Sequence, residues 1–475
     1  MPSADPPATA ICVDFGSTFT KAALVDLAEG RIVAQASHAT TIETDVLDGY
    51  DACLAALREQ DPRADASSGP EVLACSSAGG GLRIAVVGNE ELVTSEAGRR
   101  VALSSGGRVV AVLAVSRGDD LRAVHESAPD VVLLTGGTDG GNTAAIVDAA
   151  RGLAKAGWAG PVVVAGNVDA RPEVEDALAG TPYVLADNVV PRIGVLAPDS
   201  ARAAIREMFL SHVIGGKHLS TRPGHPAFTA MVTGATPDVV LTGVELLARG
   251  WGDLPGAGDV VVVDVGGATT DVHSVVELDP EEASLSREVV ATTPVTRTVE
   301  GDLGMRWSAT STVVAADLAD LTAAAEVRHT DPGFLPATEA EYAEDEAIAT
   351  AAVGLALRRH AGRSQVVVGP DGRVVERTGK DLREVRLLVG SGGVLRHGRP
   401  GVAERVLGGS TGEVEGGWQL PVRPRVVVDH DYVLAAGGLL AARHPEAAYL
   451  LVQRLAERGT ASATRTGDSS PWGGH

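Results

Sequence analysis

Two stretches far apart in the chain share one pattern of apolar and polar positions. Residues 11–26 read ICVDFGSTFTKAALVD and residues 260–276 read VVVVDVGGATTDVHSVV. In each, an apolar, largely β-branched run ends on an aspartate, a glycine turn follows with hydroxyl residues, and an apolar run resumes. Such runs predict strands, and a tight glycine turn between two of them predicts a hairpin. Residues 109–115, 131–135, 162–165 and 183–186 are further short apolar runs, separated by helical patterns. That alternation predicts a parallel α/β unit. A helix is expected near Tyr50–Glu59. Another is expected over 338–360, where acids alternate with Ala and Leu, with a solvated acidic face. LACSSAGGGLRIAVVG predicts two strands around Gly79, Gly80 and Gly81. The pattern divides the chain into a disordered start (1–9), a first lobe (10–200) with an additional α/β segment at about 101–200, a second lobe (201–455) and a disordered tail (456–475).

The two hairpins carry chemistry. Asp14 and Asp264 sit at strand tips, and Gly16, Gly266 and Gly267 let backbone N–H groups approach an anion. Ser17, Thr18, Thr20, Thr269 and Thr270 add hydroxyl donors. Two such loops imply two related halves facing each other across a cleft. Mg²⁺ takes oxygen ligands and keeps several waters when it bridges phosphates, so Asp14 and Asp264 are candidate ligands for one hydrated ion. Lys21 either contacts phosphate or snorkels at a strand edge, and Asp271 either faces the site or caps its own turn. A third element, VRLLVGSGGVLRHG at 385–398, places Gly390, Ser391, Gly392 and Gly393 between a strand and a helix start, where backbone can approach a purine and ribose.

Composition narrows the partners. The formal charge is −22 and aromatics make up 3%, which argues against nucleic acid, whose phosphates call for clustered Lys and Arg and whose bases call for stacking platforms. MPSADPPATA lacks the basic and apolar regions of a signal peptide, and no apolar run reaches bilayer length, so a cytoplasmic location is expected. Cys12, Cys53 and Cys75 have no C-x-x-C pairing and fit neither a disulfide framework nor a zinc site. His212, His218 and His225 also lack zinc spacing. The glycine-rich LLTGGTDGGN (133–142) either binds an anion at a helix start or is a tight connection.

In this order, residues 11–26, 260–276 and 386–397 resemble the two phosphate loops and the adenosine loop of the actin, heat-shock chaperone and sugar kinase ATPases. The resemblance implies a two-lobed actin-like α/β fold built from duplicated ribonuclease H-like halves, with ATP and Mg²⁺ as ligands. It also matches TVEGDLGMR (298–306) to the start of a ribose-contacting helix, drawing in Glu300, Gly301 and Asp302, and VDHDYVLAAGGLL (428–440) to a closing helix. DFGSTFTK is similar to the first loop of hydroxyacyl-CoA dehydratase activators, but the paired cysteines of their iron–sulfur cluster are missing. Taken together, DFGSTFTK, SSAGGGLR, TGGTDGGN, ADNVVPRIGVL, VDVGGATTDVHSV and VEGDLGMR resemble the glutamate mutase accessory family (GlmL or MutL type) over roughly 10–455. That family is unrelated to the mismatch-repair ATPases sharing the MutL label. The resemblance implies an ATP-hydrolysing, chaperone-like factor for an adenosylcobalamin-dependent mutase, with the mutase subunits as partners and a homo-oligomer left open. A D-x-H-x-x-G cobalamin motif is missing, so the chain is not expected to be the mutase itself. A small-molecule kinase and an actin-like assembly protein are the alternatives.

Overall fold

The computed structural model describes residues 8–65, 69–78, 81–216, 219–220, 222, 228–277, 293–369 and 372–458. Expectations for residues 1–7 and 459–475, for Gly79 and Gly80, and for His218 and His225 fall outside these residues.

The first hairpin pairs β1 (Thr9–Phe15) with β2 (Phe19–Asp26), which continues antiparallel into β3 (Arg31–Ala39). β4 (Glu71–Ser76) lies parallel to β1 on its other side. The chain then leaves to build β5 (Arg83–Gly88), β6 (Arg108–Ala114), β7 (Val131–Leu134), β8 (Val162–Val164) and β9 (Tyr183–Leu185). These form a separate, wholly parallel sheet ordered β6-β5-β7-β8-β9, with a core of its own. The four apolar runs from 109 to 186 all become strands here, as their alternation with helices predicts. β10 (Val232–Ala235) returns to the first sheet beside β4. The first sheet therefore runs past the expected division at 200, and the additional sheet begins ahead of 101. A strand as short as VTGA between two helices leaves too little period to read.

After the small β11–β12 hairpin (Gly250–Trp251, Leu254–Pro255), the design repeats. β13 (Val260–Val265) pairs antiparallel with β14 (Thr270–Val275), which pairs antiparallel with β15 (Val295–Glu300). A side hairpin, β16 (Arg363–Gly369) and β17 (Gly372–Thr378), precedes β18 (Leu387–Ser391), which lies parallel to β13 and is followed by parallel β19 (Arg425–Val428). The orders β3-β2-β1-β4-β10 and β15-β14-β13-β18-β19 correspond strand for strand in direction and sequence of connection. This is the duplicated, two-lobed actin-like architecture.

Val260 to Val263 are fully buried because this central strand is covered on both faces, the setting that favours uninterrupted apolar runs. Val261, Val263 and Val265 face a core completed by the helix Glu339–His360, while Val260 and Val262 face the other lobe. Between the lobes run two helices, Thr236–Arg249 after β10 and Val433–Leu440 after β19. A Cβ on Gly243 would strike the Leu434 carbonyl and one on Gly438 the Val239 carbonyl, so the two backbones touch where the helices cross.

The solvated acidic face expected on 338–360 is only partly present. Asp345 and Glu346 are buried, Asp345 against Arg328 and Arg306 and Glu346 against Arg399 and Arg405. Hydrogen bonds from Arg405, with Arg399 beside it, hold the Glu346 carboxyl down to about 2 despite burial. Arginines distant in sequence turn this part of the helix inward. No helix among the described residues is long and apolar enough to cross a membrane.

Candidate functional site

The two hairpins superpose position for position. Asp14 stands across from Lys21, and Asp264 across from Asp271. Each turn is closed by its glycine N–H bonding the carbonyl three residues on, Gly16 to Phe19 (3.2 Å) and Gly266 to Thr269 (2.9 Å). A Cβ at either glycine would press on that carbonyl, which is why glycine stands at both places.

Side-chain alternation along β1 and β13 puts Asp14 and Asp264 on the strand faces of Ala10 and Cys12 and of Val260 and Val262, which pack on the crossing helices. The Lys21 ammonium is 3.7 Å from Asp14 and lies over the Tyr432 ring at 3.8 Å. Burial lowers its pKa, but Asp14, Tyr432 and Asp264 outweigh burial and hold it above the ordinary lysine value. Burial pushes the Asp264 carboxyl up to about 6; Lys21 opposes this, while Asp271 and Asp14 add to it. Ser391 is the β18 register partner of Asp264, and its side chain works against the rise of that carboxyl. Thr236, at the start of the first crossing helix, donates to Asp14 at 2.6 Å.

The structure sorts the other expected residues. Ser17 and Thr18 are exposed at the cleft mouth. Thr20 and Thr270 are fully buried in their own lobes, bonded to Thr40 and to the Leu303 carbonyl, so the period-2 alternation turns both away from the cleft. Thr269 bonds Asp271, whose carboxylate is also gripped by Arg297 at 2.5 Å. Gly390 faces the core, where a Cβ would meet Leu395 and Leu407. Gly392, at φ +104°, lies against the Val265 carbonyl, and only at Gly393 would a side chain meet open space. Residues 298–306 do not begin a helix. Pairing with β14 keeps them in strand to Glu300, and the helix opens at Ala309. The Met305 and Arg306 N–H groups instead bond the Gly266 and Gly267 carbonyls and brace the turn of the second hairpin. Glu300 and Asp302 are taken up by Arg359, at 2.7 and 2.6 Å. Burial, which outweighs Arg359, raises the Glu300 carboxyl.

Sequence reading missed Thr236, Tyr432 and Arg396. The Arg396 guanidinium, like the Lys21 ammonium, lies over the Tyr432 ring, at 3.6 Å. A Thr-Pro helix start marks Thr236, and Tyr432 is one of only five tyrosines. Neither signal says what these residues touch. Arg396 and Tyr432, with Asp14, Lys21, Gln35 and Ser37 among others, line a cavity of about 260 Å³. Cys12, Cys53 and Cys75 are buried free thiols; burial pushes Cys12 up to about 12.

The donor set bears on metal choice. No cluster of three or more His, Cys, Asp or Glu able to hold a metal occurs among the described residues. Two carboxylates with hydroxyls beside them fit an ion that brings its own water, as Mg²⁺ does.

The family model described as MutL protein matches residues 10–455. Protein MutL of Clostridium tetanomorphum is 36% identical over 464 residues, covering 94% of this chain and 98% of that protein. Among solved structures, the activator of the 2-hydroxyisocaproyl-CoA dehydratase from Clostridium difficile aligns over 97% of this chain and 99% of its own, at 10% identity and TM-score 0.30. The ethanolamine utilization protein EutJ from Carboxydothermus hydrogenoformans aligns over 94% and 91%, at 12% identity and TM-score 0.28. Such scores carry no weight beside the strand orders themselves. With the family match spanning nearly every described residue and a relative at this identity, the chain belongs to the MutL protein family.

Proposed function

We propose that the chain is a Mg·ATP-binding ATPase that works in the cytoplasm as a chaperone-like accessory factor for an adenosylcobalamin-dependent mutase. The observation that carries the ATPase part is the equivalence of Asp14 and Asp264, each near the end of the first strand of a duplicated hairpin in one of two matching sheets. The mutase part rests on family membership.

Phosphoryl transfer to water depends on positioning and charge neutralisation more than on covalent chemistry. Asp14 and Asp264 would hold Mg²⁺, which would supply positive charge to offset that of the phosphates. Thr236 fixes the Asp14 carboxylate by its hydrogen bond. Ser17, Thr18 and the turn amides at 17–18 and 267–268 bind the phosphates, and Gly393 leaves room for the nucleoside. One of the two aspartates orients the attacking water. The mutase docks on the β5–β9 sheet, which exceeds what nucleotide binding requires.

Asp264→Asn tests the site. Hydrolysis is expected to fall on the order of a hundredfold, with circular dichroism unchanged because the side chain ends in the cleft. Wild-type turnover in the folded variant defeats the two-loop assignment. Pull-down of purified mutase subunits with ATP, ADP or no nucleotide tests the partner: nucleotide-dependent capture is expected, since a ligand shifts a conformational equilibrium only through differential affinity. Phosphorylation of a small acceptor with no capture replaces this reading with the kinase one.

A further inference from the structure

We infer that Lys21 is a built-in counter-ion for the Asp14–Asp264 pair, and that it makes divalent-cation binding conditional on nucleotide. The inference rests on the Mg·ATP reading above and assigns to one residue the coupling of metal to nucleotide.

The charges around the cleft floor divide unequally. Asp271, equivalent by register to Lys21, is neutralised by Arg297, whose guanidinium also reaches the Leu103 and Gly107 carbonyls. Arg297 is therefore committed. Among the described residues Lys21 is the one cation ion-paired with Asp14, at 3.7 Å, and none is ion-paired with Asp264. The Lys21 charge also acts on the Asp264 carboxyl, opposing the rise that burial imposes.

Lys21 is also fastened from the second lobe. The Tyr432 ring lies 3.8 Å from its nitrogen, and the Arg396 guanidinium holds the same ring at 3.6 Å. Tyr432 keeps a left-handed backbone, φ +53°, at the start of the helix Val433–Leu440. A non-glycine residue stays in that conformation only where its surroundings over-determine it.

A free divalent ion entering between the carboxylates meets a positive charge pinned in place. ATP changes the balance, because its phosphates offer the ammonium a new anionic partner and bring the ion with them. Lys21 then leaves Asp14 and Tyr432 together, so metal loading also frees the start of a helix that crosses between the lobes. No bond is made or broken in this exchange.

The test uses Mn²⁺ as probe, followed by electron paramagnetic resonance on the full chain without nucleotide. Lys21→Met is expected to bind one Mn²⁺ at least tenfold more tightly than wild type. Lys21→Arg, which keeps the charge, is expected to behave as wild type. The gain is expected to vanish in Lys21→Met/Asp14→Asn. Equal Mn²⁺ binding by wild type and a Lys21→Met protein with native circular dichroism overturns the inference, as does a gain that survives Asp14→Asn. Calorimetric titration of wild type with ATP is the separate arm. If ATP does not bind, the Mg·ATP reading falls, while the nucleotide-free Mn²⁺ comparison still decides the role of Lys21.

Discussion

Gly392 and Gly393 are adjacent, and the structure gives them different work. A side chain on Gly392 would strike the Val265 carbonyl from a positive-φ position, whereas one on Gly393 would enter open space. Gly393→Val is therefore expected to weaken ATP binding at least tenfold, about 1.4 kcal/mol, at unchanged melting temperature. Gly392→Val is expected to destabilise the protein by about 1–3 kcal/mol from backbone strain alone, with more from the clash. Calorimetry and thermal melts on the two variants separate the cases, and equal ATP affinity in Gly393→Val removes the nucleoside from this loop. The glycine run was legible in the sequence, but which glycine faces a ligand depends on β18 alternation and on the carbonyl of a neighbouring strand. Asp14 and Asp264 were legible because a lone acid closing an apolar strand has few other uses. Lys21 was legible only as a choice between two roles.

At the scale of elements, the hairpins follow directly from pattern, and their equivalence extends to the hydrogen bond closing each turn. The helix start that the resemblance implied at TVEGDLGMR is a strand end instead. Pairing with β14 decides it. Behind the same sheet lies a buried polar network. Lys380 donates to Ser274, Thr296 and the Pro294 carbonyl, and Ser274 also bonds His360 of the helix Glu339–His360. Burial, reinforced by Arg100, pushes the Lys380 ammonium down to about 7, and burial holds His360 well below its usual range. Between pH 7 and the unfolded lysine value near 10.4, the unfolded chain binds more protons at Lys380 than the folded one. Stability from this group therefore rises with pH through that window, and its penalty is fully present below pH 7. Unfolding free energies from urea titrations at pH 7 and pH 9 are expected to differ by on the order of 2 kcal/mol more in wild type than in Lys380→Met. Equal differences would mean that the ammonium stays charged on its three acceptors.

For the whole molecule, the lobes share a core. Ala10, Cys12 and Cys75 of the first sheet and Val260, Val262 and Val389 of the second pack on the crossing helices. Those helices touch backbone to backbone at Gly243 and Gly438, and Lys21 pairs with Asp14 of the first hairpin. Mg·ATP is expected to draw the lobes together, a closure of the hinge type. Small-angle scattering should record a smaller radius of gyration on adding Mg·ATP to wild type and no change in Asp264→Asn. A wild-type radius indifferent to nucleotide removes closure as the output.

The sequence alone determined the two aspartate-tipped hairpins, the glycine loop after β18 and the α/β alternation between them, because these depend on local period and on residues with few alternative uses. It determined the family for the same reason, since several short motifs occur in one order. Tertiary structure alone decided that Thr20, Thr270 and Gly390 face inward, that Arg359 occupies Glu300 and Asp302, and that Thr236, Arg396 and Tyr432 join the site. Those outcomes are contacts between residues tens to hundreds of positions apart, and a local pattern carries no record of which distant charge or carbonyl arrives beside it.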